Sequence, residues 1–204
     1  MIGIFGGTFD PPHLGHSILA VEAAEALELE RLLWVLTASP PHKKHDFQTP
    51  VEDRLDMVSE AVKYDDRFEL SRADIDRPAP HYALGTVQWL KEKYPGTKFL
   101  YLVGGDSLRD LGSWYRVREF IQGISALGVM RRPGAAIDIG SLERQIPGIG
   151  EKIRFLNAPM VDISATEIRK RAAAGRPYRH LVLPEVAEII QSRALYTQRE
   201  SRGD

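Results

Sequence analysis

The chain has 204 residues, 43% hydrophobic and 27% charged, a balance typical of a folded protein with its own core rather than a disordered chain. Its 27 basic and 28 acidic side chains leave a net charge of −1, so no surplus of positive charge suits nucleic acid or an anionic membrane. The absence of cysteine excludes disulfides, thiolate catalysis and cysteine-ligated metals. No secretory leader and no apolar run of about 20 residues is visible, so we expect one domain over 1–204 in the cytoplasm.

Short apolar segments alternate with amphipathic patterns from the N-terminus onward. Thr49, Pro50 and Glu52 have the spacing of an N-cap, a first helical residue and the end of a capping box. In chain order, the first half predicts a strand over Met1–Phe5, a helix over Leu14–Leu29, a strand over Leu32–Leu36, a helix from Pro50 to about Val62 and a strand over Phe68–Ser71.

The second half repeats this alternation. It predicts a helix over Tyr82–Tyr94, strands over Phe99–Val103, Ser125–Met130 and Ile153–Leu156, a helix opened by Ser164, and a last helix over Pro184–Ser192. We expect a helical C-terminal part over about 164–197 and a frayed tail over 198–204. Alternating strands and helices predict an α/β fold: a Rossmann-like, doubly wound, mostly parallel sheet with helices on both faces. Such sheets bind ligands beyond the carboxyl ends of their strands.

The most informative segment is GGTFDPPHLGH at residues 6–16, directly after the first strand. Its two glycines would let a ligand approach the backbone closely, and the following helix would offer free N–H groups to an anion. His13 and His16 lie three residues apart, so both rings can face one ligand, and Gly15 leaves space between them. A tight turn with two surface histidines is the plain alternative, but the combination favours phosphate binding. The segment matches neither a P-loop nor a Gly-x-Gly-x-x-Gly motif.

A second motif, ISATEIR at residues 163–169, opens a late helix. A helix start capped by Ser164 can bind an anion, and Arg169 lies about one turn further on, within reach of the same group. Taken alone, the segment is better explained as a well-capped helix with a solvated arginine.

Together the two motifs resemble the nucleotidyltransferase superfamily that carries a His-x-Gly-His motif. Within it, the chain resembles the bacterial nicotinate-nucleotide adenylyltransferases over nearly its whole length. The supporting segments follow the family's order: Pro-Pro-His-Lys at 40–43, Gly-Gly-Asp-Ser at 104–107, Trp-Tyr at 114–115 and Arg-Arg-Pro-Gly at 131–134.

The resemblance implies that the enzyme transfers the adenylyl group of ATP to nicotinate mononucleotide. It implies His13, His16 and Arg169 as the catalytic residues, in contact with the ATP phosphates. Asp106 would hold a ribose hydroxyl. The implied ATP-binding residues are Gly6, Gly7, Thr8, Phe9, Gly104, Asp106, Ile163 and Ser164.

The resemblance also implies a mononucleotide site, with Trp114 stacked on the pyridine ring. Thr86 and the backbone of Tyr115 would receive the pyridine carboxylate, and the mononucleotide phosphate would lie near three basic residues. The implied residues are Asp10, His42, Lys43, Thr86, Trp114, Tyr115 and Arg132. One departure is that His81-Tyr82-Ala83 stands where the family has Ser-Tyr-Thr, although Thr86 is retained.

The chemistry of the residues agrees with this reaction. A phosphate monoester is mostly ionised at pH 7, so it needs no general base to attack ATP. Because no cluster of carboxylates suggests a metal site, we expect Mg²⁺ to arrive with ATP rather than on protein ligands. The expected partners are ATP and nicotinate mononucleotide, without nucleic acid or membrane; whether the chain forms a homo-oligomer is left open.

Two other functions stay open at this point. One is a related adenylyl- or cytidylyltransferase, for example one acting on phosphopantetheine; Trp114 and Arg132 favour the pyridine-nucleotide branch instead. The other is a non-catalytic, nucleotide-binding regulatory module on the same fold, although the motif histidines and Arg169 are all present. Of the tryptophans, we expect Trp34 and Trp89 in the core and Trp114 at a rim.

Overall fold

The sheet is parallel throughout and has the doubly wound order β3-β2-β1-β4-β5-β6. This computed structural model describes residues 1–38, 49–130, 138–159 and 161–197, with only the backbone of Asp106. The strands are β1 (Ile2–Gly7), β2 (Arg31–Leu36), β3 (Phe68–Ser71), β4 (Phe99–Gly104), β5 (Ala126–Met130) and β6 (Ile153–Leu156). The predicted α/β, Rossmann-like fold is confirmed.

Helices cover both faces of the sheet and continue into a C-terminal helical part. The longer ones are α1 (Leu14–Ala26), α2 (Val51–Val62), α3 (Ala83–Lys93), α5 (Val117–Gly123), α6 (Ile139–Gln145), α8 (Ala165–Ala173) and α9 (Pro184–Ser192). The short α4 (Gly105–Arg109) follows β4, α7 (Ile149–Lys152) precedes β6, and two 3₁₀ turns span Leu111–Ser113 and Arg179–Leu181. In the described part of the chain, no helix is long and apolar enough to cross a membrane.

The two layers of the core follow from the alternation of side chains along β1. Ile4 points to the layer formed with α3 and α5, whereas Phe5 points to the layer formed with α1 and α2. A third cluster joins α2 to α8 and α9 through Met57, Ile168 and Ile190. The C-terminal helices are therefore packed on α2, beside the loop that follows β1.

The strand order places a ligand crevice between β1 and β4. From these two central strands the chain proceeds outward in opposite directions, first through β2 and β3 and later through β5 and β6. Crossovers on opposite faces leave an opening at the carboxyl ends of the two central strands. The segment over residues 6–16 and the residues after Gly104 both lie at that opening.

Several predicted boundaries needed correction. β1 does not end at Phe5, because Gly6 and Gly7 continue the ladder opposite Val35 and Leu36. The predicted Thr49 cap is wrong: Pro50 is the N-cap, no side chain caps α2, and Thr49 is buried.

The four helices α4 to α7 were not predicted, because their four to seven residues show too little hydrophobic periodicity. Trp34 lies in the core, as predicted. Trp89 is only partly buried, with the Lys93 ammonium 5.0 Å from its ring centroid. The predicted frayed tail over 198–204 lies outside the described residues.

The neighbouring isoleucines of α9 provide a matched test of this packing. Ile190 is 1% exposed in the third cluster, whereas Ile189 is only partly buried at its edge. We expect Ile190→Ala to lower the free energy of unfolding by about 2–5 kcal/mol, because it leaves a cavity between α9 and α2. Ile189→Ala should cost less than half as much by urea unfolding. Equal losses would contradict the described orientation of α9.

Candidate active site

The loop between β1 and α1 carries two stacked histidines. The ring centroids of His13 and His16 lie 3.7 Å apart, with the ring planes 28° from parallel. The His13 N–H donates a hydrogen bond to Nδ1 of His16 at 3.1 Å, so a neutral His16 carries its proton on Nε2. A Cβ atom on Gly15 would lie 3.1 Å from Nδ1 of His13, so a side chain at position 15 would crowd the His13 ring.

Both imidazoles are neutral at pH 7. Burial lowers the pKa of His13 to about 4. The pKa of His16 lies well below 6.5, chiefly because of burial and also because of the neighbouring His13. The pair can therefore donate hydrogen bonds to a phosphate, but it adds no positive charge before a ligand binds.

The two glycines at the end of β1 serve the packing of the protein itself. A Cβ on Gly6 would lie 2.7 Å from the Tyr101 hydroxyl oxygen, and one on Gly7 would lie 2.7 Å from Cζ of Phe9. Both positions therefore require glycine for internal packing, and the close approach of a ligand to their backbone stays a prediction. Gly104 at the end of β4 differs, since a Cβ there would meet nothing within 4 Å.

Phe9 and Asp10 support the loop from below. The Phe9 ring is 1% exposed and lies with its centroid 5.1 Å from those of His16 and Trp34, so this side chain does not reach a bound ATP. Asp10 is also 1% exposed, and its Oδ1 accepts a hydrogen bond from the Tyr196 hydroxyl at 2.7 Å. Both side chains thus have structural roles in the loop, and the contacts of these two residues with ATP and the mononucleotide stay predictions.

A buried arginine on α2 joins the loops after β1 and β2. Nη1 of Arg54 donates to the main-chain oxygens of Thr8 and Thr37 at 3.1 and 3.0 Å, and Nη2 donates to that of Ala38 at 2.9 Å. The Arg54 residue is 1% exposed. These bonds hold the turn that carries Thr8 at a set distance from the neighbouring loop.

The sequence analysis missed Arg54, although its position offered a clue. It lies three, four and seven residues before Met57, Val58 and Ala61, all buried in α2. An arginine on the apolar face of a helix predicts a buried guanidinium with main-chain acceptors, since a charge there must be paired or bonded.

The start of α8 approaches the same loop. Nη1 of Arg169 donates to the main-chain oxygen of Asp10 at 2.7 Å, across 159 positions of sequence. The Ser164 hydroxyl accepts a hydrogen bond from the Glu167 N–H at 3.2 Å, which confirms the predicted cap, and Ser164 itself is exposed. Ile163 lies beside Gly15, since a Cβ atom on Gly15 would lie 3.9 Å from the Cβ of Ile163. The fold thus brings both sequence motifs to one end of the sheet.

Aromatic residues form the other side of the crevice. Trp114 is partly buried, as expected for a rim position, and its ring centroid lies 6.2 Å from that of Tyr101 and 5.3 Å from that of Phe120. Tyr115 is 50% exposed and stacks on Tyr82, with the centroids 4.4 Å apart. Because Tyr101 also faces Gly6, it links Trp114 to the end of β1.

The Thr86 hydroxyl is hydrogen-bonded inside the protein. Its residue is 2% exposed, and its hydroxyl donates to Oδ1 of Asp74 at 2.6 Å. Nη2 of Arg77 donates to the same hydroxyl oxygen at 3.2 Å and to Asp74 at 2.9 Å. This hydroxyl ties the start of α3 to a buried ion pair, and the contact of Thr86 with a pyridine carboxylate stays a prediction.

Three expected site residues, His42, Lys43 and Arg132, lie outside the described residues, as does the side chain of Asp106. The described residues contain no group of three or more His, Asp or Glu side chains arranged to hold a metal ion.

Comparison with known proteins first defines the class. The sequence profile of the cytidylyltransferase-like family matches residues 4–171, a span that includes both histidines, Ser164 and Arg169. The chain belongs to this family of nucleotidyltransferases.

Individual relatives narrow the family further. A protein of Roseiflexus sp. named "Probable nicotinate-nucleotide adenylyltransferase" is 40% identical over 196 residues, covering 96% of this chain and 97% of its own. A protein of the same name from Thermomicrobium roseum is 36% identical over 195 residues, covering 96% and 91%. The chain therefore belongs to the nicotinate-nucleotide adenylyltransferases.

The fold has solved counterparts. A structure of Plasmodium falciparum nicotinic acid mononucleotide adenylyltransferase complexed with NaAD superposes with a TM-score of 0.77 at 20% identity, covering 96% of each chain. At that identity the likeness concerns the fold.

The neutral histidine pair predicts a loss of stability in mild acid. An unfolded chain takes up protons on both rings near pH 6.5, whereas the folded chain keeps His13 neutral to about pH 4 and His16 neutral well below 6.5. The free energy of unfolding should therefore fall as the pH decreases below about 6.5, with a slope that approaches about 1.4 kcal/mol per pH unit for each histidine near pH 5. Urea unfolding at pH 7, 6 and 5 measures this slope.

The control is the double variant His13→Gln/His16→Asn, which cannot take up these protons. Its free energy of unfolding should change less between pH 6.5 and 5 than that of the natural chain. The same slope in both proteins would mean that the histidines are not held neutral.

Proposed function

We propose that this chain transfers the adenylyl group of ATP to nicotinate mononucleotide, forming nicotinate adenine dinucleotide and pyrophosphate, a step of NAD biosynthesis. The observation that carries the proposal is that Arg169 bonds to the loop that carries the His13–His16 pair, at the carboxyl end of β1. Identity of 40% to a relative named for this activity, over 96% of the chain, supports it.

The reaction requires little covalent chemistry from the protein. A phosphate oxygen of the mononucleotide attacks the α-phosphorus of ATP. One P–O bond forms while the bond from the α-phosphorus to the bridging oxygen breaks, and that electron pair leaves with pyrophosphate. Because the attacking phosphate has a second pKa of about 6, it is mostly ionised at pH 7, and no side chain has to remove a proton. The site must align two anions and stabilise the departing charge.

The ATP side combines neutral donors with a cation. The Nε2–H of His16 would donate to a phosphate oxygen, and the first N–H groups of α1 would face the same anion. Arg169, already bonded to the main chain of Asp10, would place positive charge on the β- and γ-phosphates beside Ser164. Direct in-line displacement, without a covalent intermediate, fits this set of residues.

The mononucleotide side rests on the aromatic rim. Trp114 would stack on the pyridine ring, and the backbone of Tyr115 would receive its carboxylate. His42, Lys43 and Arg132 would lie near the mononucleotide phosphate, and Asp106 near a ribose hydroxyl, as the family resemblance implies. The resemblance also implies Thr86 at the carboxylate.

We further propose that ATP enters as its Mg²⁺ complex, so that the metal is part of the substrate. A cytoplasmic location stays a prediction.

Pyrophosphate release tests the function. With ATP and Mg²⁺, we expect rapid release with nicotinate mononucleotide, much slower release with nicotinamide mononucleotide and none with phosphopantetheine. Release with phosphopantetheine alone would replace the substrate while keeping the superfamily. No release with any of the three, from folded protein that still binds ATP, would favour the regulatory module instead.

Replacing Trp114 tests the pyridine contact. We expect Trp114→Ala to raise KM for nicotinate mononucleotide by about 5- to 150-fold, because a stacked aromatic contact is worth about 1–3 kcal/mol. The KM for ATP should change less than twofold. Trp89→Ala, which removes a partly buried tryptophan from the same core layer, is the matched control and should alter neither constant. An unchanged KM for the mononucleotide in Trp114→Ala would remove the stacking assignment.

A further inference from the structure

A turn after α9 reaches the loop that carries the histidines. The hydroxyl of Tyr196 donates to Oδ1 of Asp10 at 2.7 Å, joining positions 186 residues apart. Neither sequence motif includes Tyr196. It lies beyond the last helix, in a segment to which the sequence analysis assigned no functional role.

The backbone of this turn is held in an unfavourable conformation. Ala194 and Tyr196 have φ values of 49° and 65°, in the left-handed region that side chains disfavour. Specific contacts hold the turn there. The Arg193 guanidinium bonds to Asp53 at 2.6 Å and Asp56 at 2.7 Å on α2, and the Leu195 N–H bonds back to α9.

Asp10 is held by the C-terminal helical part from two directions. Its main-chain oxygen accepts from Arg169, and its side chain accepts from Tyr196. The carboxylate is buried, and within the described residues its second oxygen has no hydrogen-bond partner, so the Tyr196 hydroxyl is its principal donor. Asp10 lies three residues before His13, the N-cap of α1.

We propose that Tyr196 is a positioning residue, whose hydroxyl fixes the His13–His16 pair relative to Arg169 by holding the side chain of Asp10. This inference rests on the proposed function for its effect on the rate. Without the hydroxyl, the buried carboxylate loses its donor and the loop must shift to rehydrate it. The pair would then lose its alignment with the ATP phosphates, while the aromatic rim, on the far side of the crevice, would keep its geometry.

Tyr196→Phe removes only the hydroxyl and tests the proposal. We expect kcat to fall between about 10- and 100-fold, the loss typical of slight misalignment, with KM for nicotinate mononucleotide within twofold. Tyr178→Phe is the control, because this partly buried ring packs against the same cluster of α2, α8 and α9. Its kcat should stay within twofold. A Tyr196→Phe enzyme with unchanged kcat would overturn the proposal, whatever its Tm.

The route through Asp10 is tested by a double-variant cycle. In an Asp10→Asn background the acceptor is uncharged, so removing the Tyr196 hydroxyl should lower kcat less than threefold. The same factor in both backgrounds would mean that Tyr196 acts independently of Asp10.

Amide hydrogen exchange gives a readout that does not depend on the reaction. Tyr196→Phe should speed exchange several-fold in peptides covering residues 8–17, with no change in β4. Tyr178→Phe should leave the exchange rates of both regions unchanged. If the natural chain proved inactive on nicotinate mononucleotide, the proposed function would fail, and this measurement would still decide the positioning role. Unchanged exchange over residues 8–17 would overturn it.

Discussion

The guanidinium of Arg54 holds the loops after β1 and β2 together through three main-chain oxygens. A charge this deeply buried is stable only where its donors are satisfied and an opposite charge is near. Burial lowers the pKa of Arg54, and the Asp10 carboxylate acts in the opposite direction. The buried guanidinium of α2 thus holds the main chain of the loop that leads into α1 and its two histidines.

The residues around the histidine pair explain why both imidazoles are neutral. His16 lies among the rings of Phe5, Phe9 and Trp34, and its Nδ1 is occupied by the main chain of His13. An apolar setting of this kind disfavours the imidazolium, so the ring approaches a ligand as a fixed donor. Positive charge comes instead from Arg169, which the C-terminal part brings to the loop. Separating the two tasks suits a reaction that aligns two anions without removing a proton.

The fold and the two main motifs could be predicted because their information is local. Alternating apolar segments located every strand, and the spacing of His13 and His16 was enough to place both rings on one side of a helix start. The contacts that could not be predicted join residues far apart in the sequence. The sequence cannot show that Tyr101 lies over Gly6, that Tyr196 bonds to Asp10 across 186 positions, or that Asp74 takes the Thr86 hydroxyl.

These long-range contacts share a physical cause. The side chains of Asp10 and Thr86 are buried and form hydrogen bonds inside the protein, where an unpaired carboxylate or hydroxyl is costly. Arg54, which the sequence analysis did not single out, is among the most buried side chains. Its position among the apolar residues of α2 was the one local indication.

The central claim is that His16 meets the ATP phosphates as a neutral ring with its proton on Nε2. Nitrogen-15 NMR of the histidine rings at pH 7, without ligand, measures this directly, because the two ring nitrogens differ strongly in chemical shift when only one is protonated. The account predicts a protonated Nε2 and an unprotonated Nδ1 for His16. Two protonated nitrogens, or a proton on Nδ1, would contradict it.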